Sequence, residues 1–129
     1  MAEANYPEDL RYHDQHDWVR VEGGTATFGI TWYAQDTLGE VVFFEPPEVG
    51  TTLTKDQPYA EVESVKAVSD VIAPMSGEVT EVNDALSDSP EKINEEPYGE
   101  GWLVKVALSH PEEAEALLSA TEYQKLLDR

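Results

Sequence analysis

The sequence predicts a mainly β protein: a flattened sandwich, or barrel-sandwich hybrid, of two small antiparallel sheets related by a pseudo-twofold repeat, with short helices that include one at the C-terminus. Three observations predict it. Short runs of alternating polar and apolar residues recur along the chain, as at residues 17–21 and 77–82. Glycine and proline turns separate them, as at Gly23-Gly24 and Pro46-Pro47. Gly39-Glu40-Val41 also recurs as Gly77-Glu78-Val79, and Pro58-Tyr59 as Pro97-Tyr98, so the chain contains two similar halves. Strands this short are unstable as one hairpin, whereas two sheets packed face to face bury their apolar sides against each other.

The elements follow in order. Residues 6–12 read as an irregular lead-in. Residues 17–21 and 25–30 form a hairpin across Glu22-Gly23-Gly24, with Trp18, Phe28 and Ile30 as core candidates. Thr31 caps a short helix that runs to Leu38 and ends at Gly39. Residues 40–44 are the next strand, and residues 50–55 a turn region. Residues 59–64 and 68–72 are two strands meeting at a tight turn, because β-branched residues on both arms favour extended backbone. Residues 77–82 form another strand. Residues 87–98 read as loop with a helical turn near 90–93, and residues 102–107 as the last strand. A C-terminal helix begins at Ser109-His110-Pro111, breaks near 119–121, and shows Leu117, Leu118, Leu126 and Leu127 as its apolar stripe. Val41, Val79, Trp102 and Val104 complete the expected core.

A chain of 129 residues supports one domain, taken as 1–129, with a modest core. It holds 27 acidic and 8 basic residues, a formal charge of −19. Such a surface repels phosphates, which argues against nucleic-acid binding, and it can steer the protein toward basic surfaces. The absence of cysteine excludes disulfides and thiolate chemistry. The acidic start resembles neither a secretion signal nor a basic transit peptide, and no window is apolar enough to span a membrane. The expectation is a cytoplasmic prokaryotic protein; an organelle protein written without its transit peptide also fits.

Enzymatic chemistry finds no footing in these residues. His13, His16 and His110 lack zinc spacing, and His16 beside Trp18 reads as packing and turn hydrogen bonding. No serine sits in a nucleophile elbow, and the scattered glycines form no phosphate loop. Lys66 is different. It stands at the reversal between two β-rich arms, in Glu61-Val62-Glu63-Ser64-Val65-Lys66-Ala67-Val68-Ser69-Asp70, with its stem in water and its amine free. Gly77 follows eleven residues later.

This spacing resembles the lipoyl and biotinyl carriers, in which a modified lysine tips a hairpin. Val65 and Ala67 replace the methionines of a biotin carrier. Glu63-Ser64-Val65-Lys66-Ala67 looks like the H protein of the glycine cleavage system, and so do His16-Asp17-Trp18, Gly29-Ile30-Thr31, Ala34-Gln35, Leu38-Gly39-Glu40-Val41-Val42, Pro47-Glu48-Val49-Gly50 and Pro97-Tyr98-Gly99-Glu100-Gly101-Trp102. The likeness runs from about Leu10 to Leu127.

The resemblance implies a monomeric, non-catalytic carrier with lipoate in amide linkage to Lys66. It implies partners as well: a pyridoxal-phosphate glycine decarboxylase, a tetrahydrofolate-dependent aminomethyltransferase, an FAD-containing dihydrolipoyl dehydrogenase and a lipoate-attaching enzyme. The arm would carry the aminomethyl group of glycine between the first two, and its dithiol would be reoxidised by the third. Glu63 is expected to be read by the attaching enzyme, with Glu61 left open. Gly77 is expected to meet a backbone requirement of the opposing strand that helps present the hairpin. The loaded arm ends in an ammonium that needs an anionic acceptor shielded from water, and Asp70 and Asp17 are the candidates; both also read as ordinary solvated acids. Asp17 stands where the family motif carries glutamate. Other readings are a lipoyl domain of a 2-oxo-acid dehydrogenase, a lipoyl donor to other carriers, and an unmodified interaction module. The absence of a Pro/Ala-rich linker and the added terminal elements argue against the first.

Overall fold

The computed structural model describes residues 5–128. Two antiparallel sheets build it. The larger has six strands in the order β1 (Arg11–His13), β2 (Asp17–Glu22), β3 (Thr25–Ile30), β9 (Val104–Leu108), β8 (Gly77–Val82) and β5 (Thr52–Leu53). The smaller has three: β4 (Val41–Glu45), β6 (Pro58–Ser64) and β7 (Val68–Ile72). Helix α1 (Trp32–Leu38) joins the sheets, short helices α2 (Ala85–Asp88) and α3 (Lys92–Glu95) precede the last strand, and α4 (Ala120–Leu127) ends the described chain. The Gly-Glu-Val repeat opens a strand in each sheet, β4 in one and β8 in the other. The two Pro-Tyr copies fall on β6 and on a turn.

Local chemistry explains the best-formed elements. The β2–β3 reversal uses Gly23 at φ 67°, a left-handed conformation that glycine enters without steric cost. Thr31 Oγ1 accepts from the Ala34 amide at 3.2 Å and starts α1. Gly39, at φ 81°, donates its amide to Gln35 O and stops it. Ser119 and Glu122 form a reciprocal capping box at the start of α4. Gly77 is needed for a close approach, since a Cβ there would lie 2.4 Å from Ala107 O.

The core divides into two clusters. The main one lies between the sheets and includes Phe28, Ile30, Val41, Val62, Val79 and Val104. The second gathers Leu10, Tyr12, Trp18, Ala120 and Tyr123. Trp18 is fully buried, donates its indole N–H to Pro97 O at 2.8 Å, and lies against Gly29. Tyr12 and Tyr123 stack with ring centres 5.0 Å apart.

Several expectations need correction. The lead-in contains strand β1, held by β2 on one side and by the reciprocal Tyr12–Leu118 backbone hydrogen bonds on the other. The turn region at 50–55 contains β5, paired to β8. The 87–98 stretch is more helical than expected, with α2 beginning ahead of it and α3 within it. The last strand begins at Val104 rather than at residue 102. Trp102 is only half-buried, because it precedes the ladder and packs on the outside of the second cluster, with Lys105 Nζ 5.1 Å from its ring centre. The C-terminal segment opens as a 3-10 turn, Pro111–Ala116, before α4. Tyr123, not the leucine stripe, is the fully buried anchor of α4.

Trp18→Ala should destabilise by about 3–5 kcal/mol, and Trp102→Ala by clearly less. Gly29→Ala should cost about 1–3 kcal/mol, since its Cβ would fall 2.5 Å from the Trp18 ring. Urea midpoints at unchanged slope measure all three. Equal losses for the two tryptophans would show that the second cluster is wrongly assigned.

Candidate functional site

Lys66 occupies the middle of the three-residue turn between β6 and β7, and it is exposed. The turn is closed from within. Ser64, the last residue of β6, is buried and donates its amide to Ala67 O at 2.8 Å. Its hydroxyl accepts from the amides of Ala67 at 3.1 Å and Lys66 at 3.3 Å. A serine bonding its own backbone neighbours in this way competes with ladder pairing and favours a turn. The turn is also held from outside, because the Val65 amide donates to Glu40 O at 3.1 Å.

Glu40 is fixed in turn by its neighbours. Asn94 Oδ1 accepts from the Val41 amide at 2.8 Å, while its Nδ2 donates to Gly39 O at 2.8 Å and to Gln35 Oε1 at 3.0 Å. A chain of hydrogen bonds therefore runs from the tip through the Gly39–Val41 backbone to α1 and α3. The Lys66 stem lies against Gly39, whose added Cβ would touch Lys66 Cε at 3.5 Å. Among the described residues the Lys66 amine has no hydrogen-bond or ion-pair partner.

A groove of about 330 Å³ opens beside the tip. One wall is α1 (Ala34, Thr37, Leu38), the other is the free edge of β7 from Ala67 to Val71, and His16, Asp17 and Ile30 close its end. Asp17 is 1 % exposed, and its Oδ2 has no hydrogen-bond partner among the described residues. Burial, and then the nearby Asp14, hold its carboxyl well above the ordinary carboxylate range. The Tyr59 hydroxyl is likewise buried without a partner, and burial followed by Asp17 raises it. His16 has φ 76°, and its ring packs on Tyr33 at 4.6 Å. His16 Nδ1 pairs with Tyr123 Oη at 2.7 Å, and that hydroxyl pairs with Thr31 Oγ1 at 2.8 Å. These contacts fix the end of the groove, and burial lowers the His16 pKa.

The residues expected from the sequence are partly brought together. Glu63 neighbours the tip, exposed, opposite Phe43 and Val68. Asp70 is exposed at the groove's lip, and Asp17 is buried at its end. Gly77 sits in the six-stranded sheet, paired with Leu53 and Leu108, and does not line the groove. Ser64, Gly39 and Asn94 were missed as positioning residues. Ser64 and Gly39 were legible as a turn serine and a helix stop, but nothing local to Asn94 says where its amide points.

Three comparisons bear on this arrangement. The family model described as glycine cleavage H-protein matches residues 10–129. The glycine cleavage system H protein of Symbiobacterium thermophilum is 55 % identical over 120 residues, covering 93 % of this chain and 94 % of the relative. The probable glycine cleavage system H protein of Haloarcula marismortui is 52 % identical, covering 95 % of this chain and 96 % of the relative. The crystal structure of a glycine cleavage system H protein from Mycobacterium marinum superposes with a TM-score of 0.88 at 41 % identity, over 96 % of this chain and 100 % of the other.

Asp17 generates a pH prediction. Its folded pKa is raised, so the folded state holds the proton more tightly than the unfolded chain does. Its contribution is greatest below the unfolded value of about 3.9 and is lost as pH rises toward the folded value. Asp17→Asn should remove that falling limb and be the more stable protein, relative to wild type, at neutral pH than at acid pH. Urea titrations across that range check this, and a constant difference between the two proteins would contradict it.

Proposed function

The chain belongs to the glycine cleavage H-protein family and has the role of its named relatives in the glycine cleavage system. From that premise we propose that residues 1–129 act as one non-catalytic carrier domain, lipoylated at Lys66. The observation that carries this reading is the free amine of Lys66 on a turn whose backbone is hydrogen-bonded from both sides, at the mouth of a groove. The amine needs no internal base, because an attaching enzyme supplies the chemistry. The chain's task is to present one nitrogen where an active site can enclose it.

The fit to a lipoyl arm is supported by the groove. Its walls are mostly aliphatic, from Ile30, Ala34, Leu38, Val62 and Val71, and its end holds a buried carboxyl with an unmet oxygen. A lipoyl group held here would supply a cyclic disulfide able to open on taking up an aminomethyl group, and the dithiol left once that group had been passed on would need an oxidant. The aliphatic walls exclude water from whatever rests against them. Asp17 is suited to receive a cation because its carboxyl has no internal partner and an adjacent cation would favour its ionised form against the effect of burial, and Asp70 lies along the same groove, exposed. Glu63, one residue before the buried Ser64, is exposed where an attaching enzyme would meet the tip.

The partners under this reading are the pyridoxal-phosphate decarboxylase, the tetrahydrofolate-dependent aminomethyltransferase, the FAD-containing dihydrolipoyl dehydrogenase and the lipoate-attaching enzyme. A monomeric carrier in the cytoplasm belongs to the same proposal, supported by relatives named in bacteria and an archaeon. No helix among the described residues is long and apolar enough to cross a membrane.

Intact-mass and peptide mapping of protein made in lipoate-attaching cells should find one lipoyl group, on Lys66 and not on Lys55 or Lys92. Lys66→Arg should carry none, since a guanidinium keeps the charge but does not form this amide. A lipoylated Arg variant would overturn the assignment. For the two acids, a charge-assisted hydrogen bond to an ammonium is worth roughly 1.5–3 kcal/mol. The aminomethyl-loaded carrier should therefore decay sooner in Asp17→Asn and in Asp70→Asn, followed by mass spectrometry without partner enzymes. Wild-type lifetimes in either variant would remove that acid from the site.

A further inference from the structure

The outer face of the three-stranded sheet carries features beyond Glu63 and Asp70 that the carrier reading does not use. Of the seven exposed large apolar side chains among the described residues, Val42, Phe43, Val65 and Val68 belong to this sheet and its tip. Phe43 is 49 % exposed and Val68 59 %. A register shift between Val41 and Phe43 brings this about. A regular strand would turn one of two successive residues inward, but the irregularity leaves both Val42 and Phe43 outside. The register then aligns Phe43, Glu63 and Val68 in one row across the sheet, immediately below Lys66.

The next outward row is Glu45, Glu61 and Asp70, directly opposed on three neighbouring strands and all exposed. Like charges in opposed positions weaken a sheet. None of these three carboxylates, nor Glu63, has an ion-pair partner among the described residues. Two exposed apolar side chains flanking Glu63, beside an uncompensated acidic row and next to the reactive lysine, mark an interaction surface.

We propose that this face is the docking surface for the enzyme that acylates Lys66, whose matching surface offers apolar contacts to Phe43 and Val68 and basic groups to Glu63, Glu61 and Glu45. The proposal rests on the reading of Lys66 as the lipoylated residue. Acylation with an activated lipoyl donor forms the Nζ–carbonyl bond, breaks the bond to the activating group and releases a proton from the amine. Unmodified Lys66 offers only a four-carbon stem. An enzyme reaching its nitrogen must therefore press against the residues flanking the tip. Enzymes that act at the far end of a long arm need not, and this singles out the acylating enzyme as the occupant.

The test uses the unlipoylated chain, a purified ATP-dependent lipoate–protein ligase as probe, and intact mass as readout. The double variant Phe43→Ser, Val68→Ser should lower kcat/KM at least about tenfold, through KM, with kcat little changed. Val49→Ser, which alters an equally exposed valine outside the patch, should leave it unchanged. Glu45→Gln with Glu61→Gln should flatten the dependence of kcat/KM on salt. A double variant with the wild-type urea midpoint and wild-type kcat/KM overturns the docking surface. So does a loss confined to glycine-dependent loading by the decarboxylase, which would give the face to another partner. A wild-type chain that takes no lipoyl group overturns the reading of Lys66 and this proposal with it.

Discussion

The buried hydroxyl of Ser64 is the constraint on which the site depends. An exposed turn of three residues has few apolar contacts to hold it, and an unrestrained lysine there would sample many orientations. Ser64 removes that freedom by binding the amides of Lys66 and Ala67, and the Val65–Glu40 bond ties the result to the start of β4. The restraint propagates because Gly39 and Val41 are both held by Asn94. A free amine therefore stands on a turn whose backbone is hydrogen-bonded from both sides. That contrast suits the proposed carrier role, which needs a reachable nitrogen on a held backbone.

The groove beside the tip combines two features that usually exclude each other. Its walls are apolar, so it resists water, yet Asp17 lies at its end with one oxygen unmet. A buried carboxyl without a donor costs stability unless it takes up a proton. The segments around Asp17 are anchored by the second cluster. Tyr123 is central to that anchoring: through His16 and Thr31 it joins the end of β3, the turn before β2 and α4.

Charge is also distributed with a pattern. The net −19 could reflect only solubility. The alignment of Glu45, Glu61 and Asp70 across three strands is not explained in that way, since acids spread over the surface would repel one another less. Their position beside Phe43 and Val68 gives the sheet a charged and partly apolar outer side, while its inner side packs on the core.

Much of this was legible in the residues themselves. Alternating runs, the glycines at 23 and 39, the Thr31 cap and the two β-rich arms around Lys66 each act over a few residues, so the main hairpins, α1 and the lysine tip follow from local rules. The fully buried Trp18, Phe28, Val79 and Val104 belong to the same class, because strand alternation assigns a face. What the tertiary structure alone decided depends on long-range partners. β1 and β5 are too short to announce themselves and exist because β2 and β8 pair with them. Trp102 looked like a core residue, but the ladder starts two residues later and leaves it half-buried. Asp17 looked like one acid among 27; in the fold it is buried at the end of the groove between α1 and β7, with one oxygen unpaired. Asn94, 53 residues from the backbone amide it receives, carries no local sign of its task. Short-range chemistry wrote the elements, and only closure of the two sheets determined which polar groups meet.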